Sequence, residues 1–326
     1  IIKVEIVDLQ PRANPDGKTF GSNANAWWGY QASVGKADGT SFKSGTFSST
    51  PGENDETITI YEFKTEGGNS FAVPSYQFSW PKLTDPDGVT RDYIDVPGTC
   101  VPHDYTDFSA DVHNMGWRKD KAVTYKMAPY QAKIPVNMHV GCMGLAPATH
   151  DYVNSIPPMP NGGNLDDKRI GKGTTMYYPV KVAGGLLSMG DAHMAQGDSE
   201  LDGTGIETSI TGKFKITLIK QADFVPWQAS LDFPLGETSA TAYGSPAWVV
   251  HGYTLTDYLA TYAASPGDVC TAGNDKMRDS SATAAAAGAL KRIDSAMTNT
   301  YFQTRKFMMD MYNVTDAEAT TIITQA

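Results

Sequence analysis

The feature that most constrains the fold of this chain is an alternation of apolar and polar residues with a period of two, from Ile1 to about Val250. Successive side chains of a β-strand point to opposite faces, so the pattern predicts strands with one buried face. Glycine, proline, asparagine and aspartate interrupt it and predict turns. The clearest predicted strands are Thr57–Phe63, Val123–Met127, Thr174–Val182 and Lys213–Ile219.

The strand predicted at Lys213–Ile219 shows the pattern most clearly. Its apolar residues are expected to face inward and its polar residues to face solvent, as in a half-exposed antiparallel strand. The inward set is Phe214, Ile216 and Leu218, and the outward set is Lys213, Lys215 and Thr217. No glycine-rich phosphate-binding signature follows a predicted strand, which disfavours a nucleotide-binding α/β domain.

Helices are predicted only after about Gly252, where the apolar period changes to that of a helix. The first follows Thr254 as a cap, and the second runs from near Ser280 past Phe302. The third begins at Thr315, where a glutamate three residues later completes a capping box. The segment Asn14–Thr50 is rich in asparagine, glycine and serine and is predicted to form long surface loops.

The predicted fold is therefore mainly β with C-terminal helices, an α+β class with a β-sandwich or barrel-like core. We expect residues 1–250 to form a β-rich catalytic region. Residues 251–326 are expected to form a helical region packed on the same unit.

Composition excludes several classes of partner. The 26 basic and 36 acidic residues give a formal net charge of −10, and no dense basic run is present to bind nucleic acid. No segment approaches the roughly 20 apolar residues of a membrane-spanning helix. The three cysteines, Cys100, Cys142 and Cys270, form no CxxC pair, which favours a reducing compartment. We expect each to be a small buried hydrophobe.

The segment Met189–Glu207 concentrates carboxylates, an imidazole and a carboxamide among glycines. On an extended strand Asp191 and His193 point the same way and can reach one metal ion. Mixed nitrogen and oxygen ligands fit zinc or manganese, whereas oxygen ligands alone suit calcium. We call the row of polar side chains on this face the polar wall. It is expected to continue through Asp198, Glu200 and Asp202. The alternative is a hydrogen-bonded turn with solvated acids.

Two further segments carry candidate site residues. In Pro157–Asp167, Asn164 and Asp166 follow a diglycine that allows a loop to approach the site closely. The alternative there is a plain Pro/Gly turn with Asx hydrogen bonds. In His139–Pro147, small residues favour core packing, and His139 is the candidate that would line a pocket.

These segments together resemble the acetamidase/formamidase family. The resemblance rests on Pro157–Asp166, Gly173–Val180, Gly190–Glu200 and Gly205–Thr208, and on the match of Gly141–Pro147 to the family's Gly-Val-x-Gly-Val-Ala-Pro segment. It is firm from about His139 to Thr208. Ser199 stands where glycine is common in the family. Family members extend beyond both ends of the sequence, so we expect the chain to resemble an incomplete copy.

The resemblance implies hydrolysis of the C–N bond of formamide or acetamide to ammonia and the carboxylate, in a β-rich fold that forms homo-oligomers. It also implies a divalent metal, for which zinc is expected and calcium is the alternative. The residues that match the family's polar positions are Asn164, Asp166, Asp191, His193, Gln196, Asp198, Glu200 and Glu207.

We assign expected roles to these residues on chemical grounds. The metal ligands are Asp166, Asp191, His193 and Asp198. Glu200 is the general acid and base, and it acts with Asp191 and His193 in catalysis. The substrate-binding residues are Asn164, Gln196 and His139. We expect a cytoplasmic enzyme that binds neither nucleic acid nor membrane. The competing hypothesis is a non-catalytic β-rich binding or structural protein with a calcium-type acidic cluster.

Overall fold

A computed structural model describes residues 1–24, 56–80, 83–84, 90–91, 124–127, 131–155, 157–198, 200, 204–239, 246–254, 258–264 and 293–325. The chain forms two compact units, and both are discontinuous in sequence. Unit 1 comprises Ile1–Gln10, His139–Asp191 and Thr211–Ala326. Unit 2 comprises Pro11–Met138 and Ala192–Ile210.

The described elements are mostly strands. The strands are β1 Ile2–Pro11, β2 Phe20–Ala24, β3 Glu56–Glu66, β4 Asn69–Trp80, β5 Leu83–Thr84, β6 Thr90–Arg91, β7 Thr124–Met127, β8 Ile134–Pro135, β9 His139–Gly144, β10 Tyr152–Val153, β11 Gly162–Asn164, β12 Thr175–Tyr178, β13 Ser188–Ala195, β14 Ile206–Thr208, β15 Ile210–Leu218, β16 Leu235–Thr238, β17 Ala247–Val250 and β18 Ala263–Ala264. The α-helices are α1 Pro226–Ala229, α2 Tyr258–Tyr262, α3 Ile293–Tyr312 and α4 Asp316–Gln325.

Unit 1 is built on a five-stranded sheet with the order β15-β1-β12-β16-β17. β12 pairs antiparallel with both β1 and β16, and β16 pairs antiparallel with β17. An aromatic cluster forms the core beside this sheet, where Trp227 of α1 makes edge contacts with Tyr177 at 5.1 Å and with Phe307 at 5.8 Å between ring centroids. Phe307 anchors α3, so the long C-terminal helix is part of this core.

Unit 2 is an antiparallel sheet in which β14, β2, β3, β4 and β7 are neighbours in that order. The last residues of β13 pair with β14, so that His193 lies opposite Glu207. The core beneath includes Tyr61, Ala72 and Met194. The end of β13 is therefore held by main-chain pairing with β14 and by core packing.

The sequence predicted much of this architecture. The mainly β class with C-terminal helices is confirmed, and the four clearest predicted strands correspond to β3, β7, β12 and β15. The capping box of α4 is confirmed, because Glu318 Oε2 accepts the backbone NH of Thr315 at 2.8 Å. Among the described residues, no helix has the length and apolar character needed to cross a membrane.

Two local predictions were wrong. Ile216 and Leu218 of β15 are 57% and 64% exposed, because β15 is the edge strand of the unit 1 sheet and the described residues do not cover this face. The loop predicted at Asn14–Thr50 contains strand β2 at Phe20–Ala24, which pairs with β3. Residues 25–50 lie outside the described residues.

Candidate functional site

Close contact between β9 and β11 positions the first group of predicted site residues in unit 1. The two strands pair antiparallel, with Gly162 opposite Gly144 and Asn164 opposite Cys142. A Cβ on Gly144 would lie 2.5 Å from the backbone nitrogen of Gly163, so only glycine fits at this position. The diglycine lies close to the backbone of β9, and the pairing brings Asn164 beside Cys142; that this loop approaches an active site stays a prediction.

Two carboxylates of unit 1, Asp166 and Asp191, converge over the backbone of β9. Asp166 Oδ1 and Asp191 Oδ2 each lie 2.7 Å from the position that a Cβ would occupy on Gly141. Beside them the thiol of Cys142 donates to Asn164 Oδ1 at 3.0 Å and to Asp191 Oδ2 at 3.3 Å. We call Asp166 and Asp191 the carboxylate pair. Gly141 provides the space in which their oxygens meet.

The second group, in unit 2, surrounds His193. The imidazole is 1% exposed, and its Nδ1 lies 2.8 Å from Oε1 of Gln196. Its Nε2 lies 3.1 Å from Oε1 of Glu207 and 3.8 Å from Oε1 of Glu200. Glu207 Oε1 also accepts the backbone NH of Gly205 at 3.1 Å. We call His193, Gln196, Glu200 and Glu207 the His193 cluster.

The geometry of the His193 cluster fits a cation. With the amide oxygen of Gln196 facing the ring, Nδ1 carries a proton, and Nε2 of the neutral ring presents its lone pair. That lone pair faces two carboxylate oxygens, an arrangement that is repulsive unless a proton on Nε2 or a metal cation lies among them. A divalent metal ion with nitrogen and oxygen ligands meets this requirement, and Gln196 is the outer partner that metal-bound histidines usually have.

Backbone strain is concentrated at the predicted site. Among the described residues, five non-glycine residues have positive φ, and three of them are Asp166 at 44°, Asp191 at 57° and Glu200 at 40°. Such conformations are unfavourable for residues with a Cβ and persist where the surrounding structure or function requires them. Three acidic residues of the predicted site therefore have a strained backbone, which an ordinary surface turn does not require.

Strand β13 contributes to both groups. Asp191 is its last residue in unit 1, and His193 follows two positions later in unit 2. The predicted strand is confirmed, although the positive φ of Asp191 interrupts regular side-chain alternation at that position.

The predicted polar wall beyond β13 was wrong. Asp198 is exposed in a turn and Glu200 adopts a left-handed backbone conformation, because the strand ends at Ala195. Asp202 lies outside the described residues. His139 is fully buried at the start of β9, where its backbone bridges to Gly171.

Sequence reasoning missed several neighbours of these residues. Cys142 was expected to be a buried hydrophobe, yet it is half-buried and makes polar contacts. Glu207 carried no assigned role, although it directly faces His193. Cys142 and Asn164 meet because β9 pairs with β11, and no local sequence pattern specifies that register.

Solved structures define the class of fold. The described architecture is similar to an acetamidase from Bacillus halodurans, with a TM-score of 0.51 and 17% identity over 100% of this chain and 66% of that one. It is also similar to an acetamidase from Yersinia enterocolitica, with a TM-score of 0.50 and 17% identity over 99% of this chain and 62% of that one. At this level of identity the likeness concerns the fold.

Sequence relatives and a family model identify the family. The chain is 28% identical over 212 residues to an acetamidase from Mycolicibacterium smegmatis, covering 63% of this chain and 46% of that protein. It is 43% identical over 74 residues to a formamidase from Methylophilus methylotrophus, covering 22% of this chain and 18% of that protein. The chain spans less than half the length of these relatives. The acetamidase/formamidase family model matches residues 1–311, and the chain belongs to this family.

Proposed function

We propose that this chain belongs to an amidohydrolase that cleaves the C–N bond of a short aliphatic amide, formamide or acetamide, and releases ammonia and the carboxylate. Membership of the acetamidase/formamidase family supports this reaction. The observation that carries the proposal is the position of His193 Nε2, which faces Glu207 at 3.1 Å and Glu200 at 3.8 Å while Gln196 holds the other ring nitrogen.

Amide hydrolysis sets three chemical requirements. Resonance between the nitrogen lone pair and the carbonyl makes the carbon a poor electrophile, so the reaction needs an activated water and a polarised carbonyl oxygen. It also needs a proton for the departing nitrogen, because an amide anion is a very poor leaving group. A site that combines carboxylates with a cation satisfies all three.

The residues proposed to hold a divalent cation are Asp166, Asp191 and His193. The carboxylate pair converges over Gly141, which supports a cation held by these two carboxylates, and His193 is proposed as its nitrogen ligand. A cation bound there supplies a Lewis acid that lowers the pKa of water to about 7 and polarises a carbonyl oxygen. Glu207 and Asp198 are the candidates for a further oxygen ligand. Glu207 lies near His193, whereas Asp198 is exposed in its turn and is the weaker candidate.

Zinc is the proposed metal. An imidazole nitrogen and a small number of carboxylates form a donor set that zinc favours. Calcium takes six to eight oxygen ligands, and a buried histidine at the centre of the cluster does not suit it. The same observation favours the enzyme over the structural protein with a calcium-type acidic cluster.

Glu200 is proposed to move the proton. It takes a proton from the attacking water as the new C–O bond forms, and it returns that proton to the nitrogen as the C–N bond breaks. Its side chain is 13% exposed, so that the carboxylate is largely shielded from bulk solvent. The proposed catalytic residues are thus Glu200, Asp191 and His193.

The amide itself is proposed to bind against Asn164, Gln196 and His139. Asn164 lies beside the carboxylate pair through its contact with Cys142. Gln196 contacts His193 through its oxygen, so that it orients the imidazole in addition to any contact with substrate. His139 is fully buried and is proposed to form part of the pocket wall.

Ammonia release from formamide and acetamide tests the proposal. The purified polypeptide, loaded with zinc and then treated with a chelator, is expected to release ammonia from at least one amide and to lose this activity on chelation. Restoration by zinc, compared with calcium, identifies the metal. Chelator-sensitive melting without ammonia release would contradict the enzyme and support the structural protein.

We also propose that the enzyme is cytoplasmic and homo-oligomeric. Three cysteines without a CxxC pair are compatible with a reducing compartment. Light scattering of the purified protein tests the assembly, and a monomer at micromolar concentration would contradict it.

A further inference from the structure

A second histidine, His251, bridges the sheet of unit 1 to the loop that carries Asp166. It directly follows β17, and its Nδ1 lies 3.2 Å from the backbone oxygen of Pro234, the residue before β16. Its Nε2 lies 3.4 Å from Oδ2 of Asp167, longer than an ordinary hydrogen bond. Because Nδ1 donates to the carbonyl of Pro234, the ring attracts this carboxylate when Nε2 also carries a proton. The side chains of His251 and Asp167 are 13% and 11% exposed.

The opposite oxygen of Asp167 is held by Arg169. Asp167 Oδ1 accepts the backbone NH of Arg169 at 2.9 Å and its guanidinium Nη1 at 3.0 Å. Asp167 is therefore a carboxylate with one oxygen bonded to Arg169 and the other 3.4 Å from Nε2 of His251.

Asp166, one residue earlier, needs such support. Its φ of 44° is a left-handed conformation that costs of order 1–3 kcal/mol unless neighbouring structure imposes it. On one side, the backbone NH of Asp166 donates to the carbonyl of Gly141 at 3.0 Å. On the other side, the next residue is Asp167, whose carboxylate contacts Arg169 and His251. The strained residue is thus fixed at both ends, and its carboxylate points to the space over Gly141.

We propose that His251, acting through Asp167, positions Asp166 for the divalent cation of the proposed hydrolase. This inference rests on the proposed function and assigns His251 the role of a positioning residue that does not touch the substrate. Outer partners of this kind typically contribute 10- to 100-fold to metal affinity or activity. His251 lies 85 positions from Asp166 in the sequence numbering, so no local motif could reveal the connection.

Two substitutions at His251 separate its two contacts. His251→Gln retains a donor near the position of Nε2 and so retains the contact with Asp167, whereas His251→Asn retains a donor near Nδ1 and serves only Pro234. We expect His251→Asn to weaken zinc binding about 10- to 100-fold, and His251→Gln to preserve most of the affinity. His150→Asn, at an exposed histidine, is the control.

Zinc affinity is measured by competition with a chromophoric chelator, together with circular dichroism to check the fold. In an active preparation, His251→Asn should also lower kcat more than it changes KM. Should His251→Asn unfold, Asp167→Asn breaks the same contact from its other side and should give the same loss. If both fold, the double variant should bind zinc no more weakly than either single variant.

The outcomes distinguish this inference from the proposed function. Unchanged zinc affinity in His251→Asn, or an equal loss in His251→Gln, would overturn the role of His251. Additive losses in the double variant would also overturn it. A wild-type protein that binds zinc but releases no ammonia would contradict the proposed reaction alone, because the zinc measurement still reports on the position of Asp166.

Discussion

Oε1 of Gln196 lies 2.8 Å from Nδ1 of His193, and this contact fixes which ring nitrogen faces the carboxylates of the His193 cluster. Replacement of Gln196 by leucine removes the acceptor at nearly constant volume and frees the ring to rotate or change tautomer. We expect zinc binding about 10- to 100-fold weaker in Gln196→Leu. Gln196→Glu keeps an acceptor and should bind zinc as well as the wild type. Equal affinity in both variants would remove Gln196 from this role.

Gly141 is predicted to be required for the geometry of the carboxylate pair. The Cβ of alanine would lie 2.7 Å from an oxygen of Asp166 and from an oxygen of Asp191, so Gly141→Ala should push the carboxylate pair apart. We expect zinc affinity to fall by at least about tenfold. Gly190→Ala is the matched control in β13, because a Cβ there meets nothing within 4 Å. Equal zinc affinities in the two variants would show that the pair does not bind the metal.

Glu200→Gln tests the proton transfer. The amide keeps the size of the side chain but cannot accept the proton, so turnover should fall about 10²–10⁴-fold. Circular dichroism should remain that of the wild type, and zinc affinity, measured on the same preparation, should fall far less than turnover. Wild-type turnover in Glu200→Gln would assign the proton transfer to another group.

Loss of the hydroxyl should change the free energy of unfolding in opposite directions at the consecutive residues Tyr177 and Tyr178. Tyr178 is fully buried and its hydroxyl has no hydrogen-bond partner among the described residues, so Tyr178→Phe should raise the free energy of unfolding by about 1 kcal/mol. The hydroxyl of Tyr177 donates to Glu237 Oε2 at 3.1 Å. Tyr177→Phe should therefore lower the free energy of unfolding by about 1 kcal/mol. Urea unfolding measures both. Destabilisation by Tyr178→Phe would instead reveal a bound water at its hydroxyl.

The cap of α4 should make stability depend on pH. Hydrogen bonds from the backbone NH and then the hydroxyl of Thr315 lower the pKa of Glu318 below 4.5. Because the pKa is lower in the folded state, the stabilisation is complete above pH 4.5 and is lost as the pH falls through the folded value. Glu318→Gln should therefore be less stable than the wild type at pH 6, and the difference should shrink on acidification. If the difference in the free energy of urea unfolding between the two proteins did not change with pH, the ionised cap would not be its source.

Local sequence patterns predicted the elements that depend on local chemistry. The period-two pattern located β12 and β15, and the threonine and glutamate of the capping box located the start of α4. The pattern failed at Ile216 and Leu218, since alternation specifies two faces of a strand but not which of them the rest of the chain covers.

The site was predictable as a set of residue types but not as a geometry. Asp166 and Asp191 were expected near a metal, yet their meeting over Gly141 depends on long-range strand positions. The contact between Glu207 and His193 depends on the register of β13 and β14, which shifts between His193 and Ala195. A sequence read locally does not specify an irregularity of this kind.

The close backbone contact between β9 and β11 restricts how this member of the acetamidase/formamidase family can be engineered. A Cβ on Gly162 would lie 2.5 Å from the carbonyl oxygen of Met143 and 2.7 Å from the ring of Tyr178. Any library that randomises this position should return glycine almost alone. Attempts to redesign substrate preference should therefore diversify positions such as Asn164 and leave the glycines beneath them untouched.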